Sequence, residues 1–169
     1  MARRRRMANR QRLLEKMAAL PDEIRKEIGA AVRQSADEIV ALQKTLVPVR
    51  TGKLRDSIKA SYGANAPKYA SLRGGTSEGD PDLTAVISAG NSAVRYAHLV
   101  EFGASPHEIR PKRPGGLLNI NGRLIESVNH PGAPAQPFFY PAYRALRRRA
   151  KGRITRATKK AARKVASEA

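Results

Sequence analysis

The pair of residues whose spacing best suits metal chemistry is His98 and Glu101, which lie three positions apart. On a helix this spacing places an imidazole and a carboxylate on one face, where both can bind the same ion. A protein metal site needs further ligands, however, and His107 and His130 lie in Pro- and Gly-rich segments without a ligand pattern. We therefore predict that His98 is a surface or hydrogen-bonded histidine and that the protein holds no metal.

Two glycine-containing segments are candidates for a phosphate-binding loop. The first, TGK at 51–53, matches the end of the P-loop motif, but Val47 stands where that motif requires its first glycine. In the second, the glycines of 74–79 are followed by Asp-Pro at 80–81 and not by the start of a helix, so no helix dipole would point at a bound phosphate. We predict no nucleotide site and no other cofactor.

Residues for covalent or acid–base catalysis are also not grouped in the sequence. The chain has no cysteine, which excludes disulfides, Cys-ligated zinc, iron–sulfur clusters and thiol catalysis. Ser57, Ser88 and Ser92 lack the flanking residues of a nucleophile elbow, and the carboxylates are scattered along the chain. We therefore predict that the protein is not an enzyme.

The charge of the chain is concentrated at its two ends. Among 169 residues, one domain's worth, 33 Lys and Arg stand against 14 Asp and Glu, a net charge of +19. Residues 1–20 hold seven basic residues and one acidic residue, residues 144–169 hold eleven and one, and residues 21–143 are nearly balanced at +3. This layout predicts a core domain at 21–143 with a basic N-terminal arm at 1–20 and a basic C-terminal helix or tail at 144–169.

The basic ends are candidates for contact with a polyanion. Lys and Arg neutralise phosphates, and no aromatic residue interrupts either block, which predicts contact with a nucleic-acid backbone without stacking on bases. An acidic protein surface is a second candidate partner, and a solvated tail is a third interpretation. No apolar run approaches the ~20 residues needed to cross a bilayer, so no membrane partner is expected. The candidate polyanion contacts are Arg3, Arg4, Arg5, Arg6, Arg147, Arg148, Arg149, Lys159 and Lys160.

Hydrophobic periodicity predicts two long helices. Apolar or small residues recur every three or four positions over 22–46, so this segment is expected to form an amphipathic helix that Pro48 ends. A second helical pattern runs from 137 to 165. Beyond Gly152 its apolar stripe is mostly alanine, so we expect that part to fray unless a partner covers it.

The residues between the helices predict a small antiparallel sheet. In chain order we expect a strand at 54–62, a loop at 63–82, a strand at 83–89, a short helix at 94–102 and a hairpin at 117–126. The hairpin prediction rests on Asn121-Gly122, the dipeptide that favours a type I′ turn. The expected fold is α+β, with a small sheet and a β-hairpin packed against a long N-terminal helix and a C-terminal helix.

Three segments of the sequence resemble a known family. They are VPVRTGKLRDSI at 47–58, YAHLVEFG at 96–103, and HPG at 130–132 followed by PFFYPA at 137–142. In this order, with a long helix before them and another behind, they resemble the tail-completion proteins of long-tailed bacteriophages, also called neck or head–tail joining proteins. The resemblance covers roughly residues 21–146 and leaves out the basic ends and the 63–82 loop.

The resemblance implies a structural protein that forms a ring, sixfold or twelvefold, at the head–tail junction around the DNA channel. Its neighbours would be the connector or head-closure ring and the tail terminator or tube, and non-specific contact with the genomic DNA fits this setting. Its location would be the virion, after assembly in the host cytoplasm. The alternative is a ribosomal or nucleoid-type nucleic-acid-binding protein, because a balanced core with basic tails also suits that class.

The candidate subunit contacts come from the same three segments. The three adjacent aromatic residues at 138–140 have two interpretations: they fill the core at the start of the helix, or, because three neighbours cannot all point inward, at least one of them anchors a subunit contact. Glu101 stands among apolar neighbours, where it is either a subunit contact, a partner for Arg95 or a solvent-facing residue. The full set of expected interface residues is Thr51, Gly52, Leu54, Glu101, Phe102, Phe138, Phe139 and Tyr140.

Overall fold

A computed structural model describes residues 22–63, 67–74, 80, 82–113 and 115–168. The basic segment 1–20 lies outside these residues, and with it the expected polyanion contacts Arg3, Arg4, Arg5 and Arg6. The glycines at 75 and 79, which belong to the second phosphate-loop candidate, also lie outside.

Two long helices form one layer of the fold. Helix α1 spans Asp22–Leu46 and helix α4 spans Phe139–Glu168, in agreement with the periodicity of both segments. They run antiparallel, because Gln43 near the end of α1 donates a 3.1 Å hydrogen bond to the carbonyl of Phe139 at the start of α4. At about 1.5 Å per residue, the pair is roughly 40 Å long. No helix among the described residues has an apolar stretch long enough to cross a membrane.

The alanine-rich half of α4 is covered by α1. Ala161 is 1% exposed and packs in a small apolar cluster with Ile24, Ile28 and Leu83. Ile154 packs against the same cluster. We expected this part of the helix to fray unless a partner covered it, and the partner is the first helix of the same chain. Alanine suits the contact because its small side chain allows two helices to approach closely.

This packing predicts a large difference between two neighbouring alanines. Replacing Ala161 by aspartate places a carboxylate in the apolar cluster, and we expect the free energy of unfolding to fall by about 3 kcal/mol. The same replacement by aspartate at the exposed Ala162 is expected to change the free energy of unfolding by less than about 1 kcal/mol. Urea unfolding followed by circular dichroism measures both. Equal losses in the two variants would contradict the placement of Ala161 against α1.

A three-stranded antiparallel sheet packs against α1. Its strands are β1 (Lys59–Tyr62), β2 (Leu72–Gly74) and β3 (Ala85–Ala89), in the order β1-β3-β2. The central strand β3 is buried from Val86 to Ala89 because it has a neighbour on each edge and α1 on one face. The register pairs Ala60 with Ile87 and Leu72 with Ala89.

Two predicted boundaries in this region were wrong. The strand expected at 54–62 begins only at Lys59, because Lys53–Asp56 forms a single helical turn, α2. The loop expected at 63–82 contains the edge strand β2, whose Leu72 is buried. Both errors have one cause: elements of three or four residues carry too little periodicity for a local pattern to distinguish them from turns.

The predicted hairpin is present, and a second strand pair encloses it. Strands β5 (Leu118–Ile120) and β6 (Arg123–Ile125) are joined by Asn121 and Gly122, whose φ angles of 52° and 84° are those of a type I′ turn. The enclosing strands, β4 (His107–Ile109) and β7 (Val128–His130), were not predicted. The residues of both pairs are exposed or half-buried, so they lie outside the core.

The main core lies between the sheet, the two long helices and the short helix α3 (Ala97–Phe102). Ile39 of α1 and Ile87 of β3 contribute from two sides of this core. Two aromatic residues at the start of α4 are its largest members, and both are almost fully buried. The principal core residues are Ile39, Leu54, Ile58, Leu72, Ile87, Val94, Phe138 and Phe139.

A polar contact joins the edge strand β1 to α1. The hydroxyl of Tyr62 donates a hydrogen bond to the carboxylate of Asp37, and the guanidinium of Arg33 lies 5.4 Å from the centre of the tyrosine ring. Burial, and after it the hydrogen bond to Asp37, raise the pKa of Tyr62 to about 12. The neutral phenol is therefore the form that stabilises the fold.

The tyrosine contact gives a prediction for alkaline solution. Because the pKa of Tyr62 is raised on folding, the contact stabilises the protein fully below the unfolded-state pKa of about 10. This contribution is lost as the pH rises through about 12. In Tyr62→Phe, the last ionisation in an ultraviolet tyrosine titration should disappear, whereas it should persist in Tyr69→Phe, whose exposed ring lies near Lys68. An unchanged titration of Tyr62→Phe would contradict the assignment.

Candidate assembly surface

The carboxylate of Glu101 caps the N-terminus of α4. Oε2 accepts hydrogen bonds from the backbone N–H groups of Phe138 at 2.7 Å and Phe139 at 2.8 Å, and Oε1 accepts one from Tyr140 at 3.0 Å. The first N–H groups of a helix have no partner within the helix, and a negative charge beside them is stabilised by the helix dipole. Glu101 is 3% exposed. It therefore fixes α3 against the start of α4 from inside the protein.

The sequence carries a signal for this role of Glu101. Helices usually begin after Ser, Thr, Asp or Asn, whose side chains accept a hydrogen bond from the first turn. The residue before α4 is Phe138, which cannot accept one. A helix that begins after a buried aromatic residue needs an acceptor from elsewhere in the chain. Glu101, an acidic residue in the apolar stretch 99–103, is that acceptor.

The turn after α1 is held by a second internal contact. Gly52 has a φ of +78°, a left-handed conformation that side chains other than glycine rarely adopt, and it leads directly into α2. Ser57, just after α2, donates a 2.6 Å hydrogen bond to the carbonyl of Leu54 and accepts a 3.0 Å hydrogen bond from the backbone N–H of Gly90. This segment is therefore tied to the loop that follows β3.

An open groove of about 530 Å³ lies between this turn and the short helix α3. Val49, Thr51 and Arg55 line it from the turn, and Tyr96 and Val100 line it from α3. The first two resemblance segments, 47–58 and 96–103, thus meet in space although nearly forty residues separate them in the chain. The groove is partly apolar and open to solvent along one side.

Helix α3 presents large apolar side chains to solvent. Tyr96, Leu99 and Phe102 follow one another at intervals of three, which places them near one face, and they are 39%, 44% and 64% exposed. The residues on the opposite face, Ala97 and Glu101, are buried. The exposed face of this short helix is therefore more apolar than the surface of a protein usually is. A cluster of large exposed apolar residues marks a contact site more often than scattered single residues do.

The exposed face of α3 continues onto α4. The rings of Phe102 and Tyr140 are 5.9 Å apart, and Tyr140 is 36% exposed. Tyr143, one helical turn further along α4, is also exposed. We call Val49, Tyr96, Leu99, Phe102 and Tyr140, together with the groove they border, the apolar face. Because Glu101 anchors both α3 and α4 beneath it, the apolar face is held on a rigid support.

The eight expected interface residues divide into two groups. Thr51, Phe102 and Tyr140 are exposed and Gly52 is half-buried, so these remain available to a partner. The other four are buried within the chain. They have internal roles instead, as core residues or as the cap of α4: Leu54, Glu101, Phe138 and Phe139. Of the three adjacent aromatics, two point inward and Tyr140 lies at the surface.

The described polyanion candidates on α4 also divide. Arg147, Arg148 and Lys159 are exposed to solvent. Arg149 and Lys160 are largely exposed as well, but Arg149 lies 3.4 Å from a carboxylate oxygen of Glu38 and Lys160 lies 3.5 Å from one of Glu27, so these two form ion pairs with α1. The sequence could not separate the two sets, because ion pairing depends on which face of α4 meets α1.

Of the residues considered for catalysis and metal binding, His107 and His130 lie together, whereas His98 and Glu101 do not share a surface. His98 is exposed while Glu101 is buried, although they are three residues apart on the same helix. Within the described segments, no group of three or more His, Asp or Glu side chains is placed to bind a metal ion. His107 and His130 stack with ring centres 5.1 Å apart, on the paired strands β4 and β7. Ser57 and Ser88 are buried, and Ser92 is exposed.

A comparison with protein-family models gives one match, over residues 11–103. The matching family is described as "Bacteriophage HK97-gp10, putative tail-component". The matched residues include α1, the turn at 47–58, the three-stranded sheet and α3 up to Gly103. They end before the strand pairs β4–β7 and β5–β6 and before α4. Neither the curated proteins nor the solved structures contain a match to the chain.

Proposed function

The chain belongs to the HK97-gp10-like family of bacteriophage tail components, and from this membership we propose that it is a non-enzymatic structural protein of the head–tail junction. In this role it forms a ring by self-association, sixfold or twelvefold, and stacks between the connector or head-closure ring and the tail terminator or tube. It assembles in the host cytoplasm and remains in the virion. The role accounts for the exposed apolar side chains that α3 carries next to the start of α4.

The observation that carries this proposal is the apolar face. Tyr96, Leu99 and Phe102 leave a large aromatic and aliphatic area in water, which is unfavourable by about 25 cal/mol per Å² of apolar surface. Burying that area against a neighbouring subunit recovers this free energy. Aromatic residues at the centre of such a contact contribute most of the binding energy in many interfaces. The buried carboxylate of Glu101 holds these side chains in place before assembly, which lowers the entropy lost on binding.

Electron microscopy of particles that lack this protein tests the proposed role. When the gene is deleted from the parent phage, we expect DNA-filled heads and finished tails that remain separate. Supplying the protein in trans should restore joined particles. Joined, intact particles in the deletion lysate would remove the joining role and leave another function within the tail.

The alternative is a ribosomal or nucleoid-type protein that associates mainly through nucleic acid. Membership of the tail-component family favours the structural role. Salt distinguishes the two forms of association, because phosphate contacts weaken steeply as salt rises whereas burial of apolar surface does not. An assembly held by the apolar face should survive about 0.5 M NaCl, and one held by phosphate contacts should dissociate well below that concentration.

A further inference from the structure

Helix α4 carries two sets of cations that differ in what they face. Three of them, Arg149, Arg153 and Lys160, lie on the flank next to α1 and contact the carboxylates of Glu38 and Glu27. Seven further cations of α4 are exposed to solvent and take part in none of the ion pairs found among the described residues. We call these the outward cations: Arg144, Arg147, Arg148, Lys151, Arg156, Lys159 and Arg163.

No carboxylate of the described chain neutralises the outward cations. The stretch from Ser127 to Ser167 contains no Asp or Glu, so α4 lacks the acidic residues that normally pair with Lys and Arg one turn away. Among the described residues, the ion pairs that α4 forms involve Arg149, Arg153 and Lys160 and none of these seven side chains. Like charges one turn apart destabilise a helix by about 0.2–0.5 kcal/mol per pair. A polyanion on this surface removes that repulsion.

The dimensions and chemistry of the surface favour a duplex backbone. From Arg144 to Arg163 the helix rises by about 29 Å at 1.5 Å per residue, close to the length of one turn of double-stranded DNA. Five of the seven outward cations are arginines, whose planar guanidinium groups bind phosphates in a bidentate manner. From 144 to 168 the helix has no Asn, Gln or aromatic residue. It therefore lacks the side chains that most often read bases or stack on single strands.

We propose that the outward face of α4 is a docking surface for the phosphate backbone of double-stranded DNA, bound without sequence preference. The paired cations on the flank serve a different purpose, which is to attach α4 to α1. This inference concerns a surface outside the matched family region and does not depend on the proposed joining role. Arg149 and Lys160 leave the set of polyanion contacts expected from the sequence, and Arg144, Lys151, Arg156 and Arg163 join it.

Two pairs of adjacent residues provide a matched test. Arg148 and Lys159 are outward, and their sequence neighbours Arg149 and Lys160 are paired with α1. Each double glutamine variant, Arg148→Gln with Lys159→Gln or Arg149→Gln with Lys160→Gln, removes one Arg and one Lys from the full chain. Both leave the N-terminal arm unchanged, so any contribution of that arm is equal in the two.

Binding of a fluorescent 30-bp duplex is measured by anisotropy across a series of NaCl concentrations. The outward variant should bind about tenfold or more weakly at 0.1 M NaCl, and the slope of log K against log [NaCl] should fall by about 2, one for each lost phosphate contact. The variant with the paired residues replaced should stay within about threefold of the wild type, with an unchanged slope. Circular dichroism confirms that both variants are folded.

Three outcomes would overturn the proposal. Equal loss of affinity in the two variants would mean that net charge, and not this face, governs binding. Failure of the wild-type chain to bind the duplex at about 0.05 M NaCl, where phosphate contacts are strong, would exclude the DNA surface. Tighter binding of poly-glutamate than of the duplex, with the same dependence on Arg148 and Lys159, would assign the face to an acidic protein partner.

Discussion

Replacement of Glu101 by alanine is expected to lower the free energy of unfolding by about 3 kcal/mol, because it leaves three backbone N–H groups without their acceptor at a buried helix start. The variant also removes a negative charge that the dipole of α4 stabilises. A loss of this size is a large fraction of the stability of a domain of this length. Chemical unfolding followed by circular dichroism measures it directly.

Two further variants show whether the loss comes from the cap. Glu101→Gln keeps one amide oxygen as an acceptor and should lose about half as much stability as the alanine variant. Glu126→Ala removes an exposed glutamate beyond the hairpin and should change stability by less than about 0.5 kcal/mol. If Glu101→Ala were as stable as Glu126→Ala, the carboxylate would not be the acceptor for α4, and another explanation for the start of that helix would be needed.

The cap explains why one acidic residue connects stability to assembly. Glu101 joins α3 to α4 across 37 positions of the chain, and Phe102 beside it carries the most exposed aromatic ring in the described residues. The side chains at 101 and 102 therefore face opposite ways from one short helix. Two adjacent residues of this segment therefore differ in role: Glu101 is an internal anchor, and Phe102 is a surface residue. The same division holds at the turn after α1, where Leu54 is buried and Thr51 is exposed.

The parts of the fold that could be predicted are those encoded locally. The long apolar stripe of α1 specifies a helix, and Asn121-Gly122 specifies a tight turn, whatever the rest of the chain does. The pairing of β4 with β7 could not be predicted in this way, because each strand has three residues and their partners lie about twenty positions away. The energy that forms such a pair comes from tertiary context, which a local pattern does not contain.

The candidate interface shows the same limit. Composition identified the aromatic run at 138–140 as unusual, but a sequence gives no direction for a side chain at a helix start, where periodicity is not yet established. Phe138 and Phe139 pack in the core and Tyr140 lies at the surface, although Glu101 accepts a hydrogen bond from the backbone N–H of each of the three. A substitution at Phe138 or Phe139 would therefore disturb the core and reveal nothing about assembly.

Phe102 is the position at which assembly can be tested without disturbing the core. We expect Phe102→Asp to reduce the yield of joined, infectious particles by about a hundredfold or more, because a central aromatic anchor contributes about 2 kcal/mol or more and the loss is repeated at every contact in a ring. Stability of the isolated protein should fall by no more than about 1 kcal/mol, the value of its ring contact with Tyr140. Complementation of the gene deletion, followed by electron microscopy, measures the yield.

Leu124 provides the matched control, because it is exposed to the same extent as Phe102, 63% against 64%, but belongs to the hairpin strand β6 and not to the apolar face as defined above. Leu124→Asp should therefore complement the deletion normally. If Phe102→Asp also complemented normally, the apolar face would not be a subunit contact. If both variants failed while remaining folded, the hairpin would belong to an interface as well, and the contact surface of the protein would be wider than the apolar face alone.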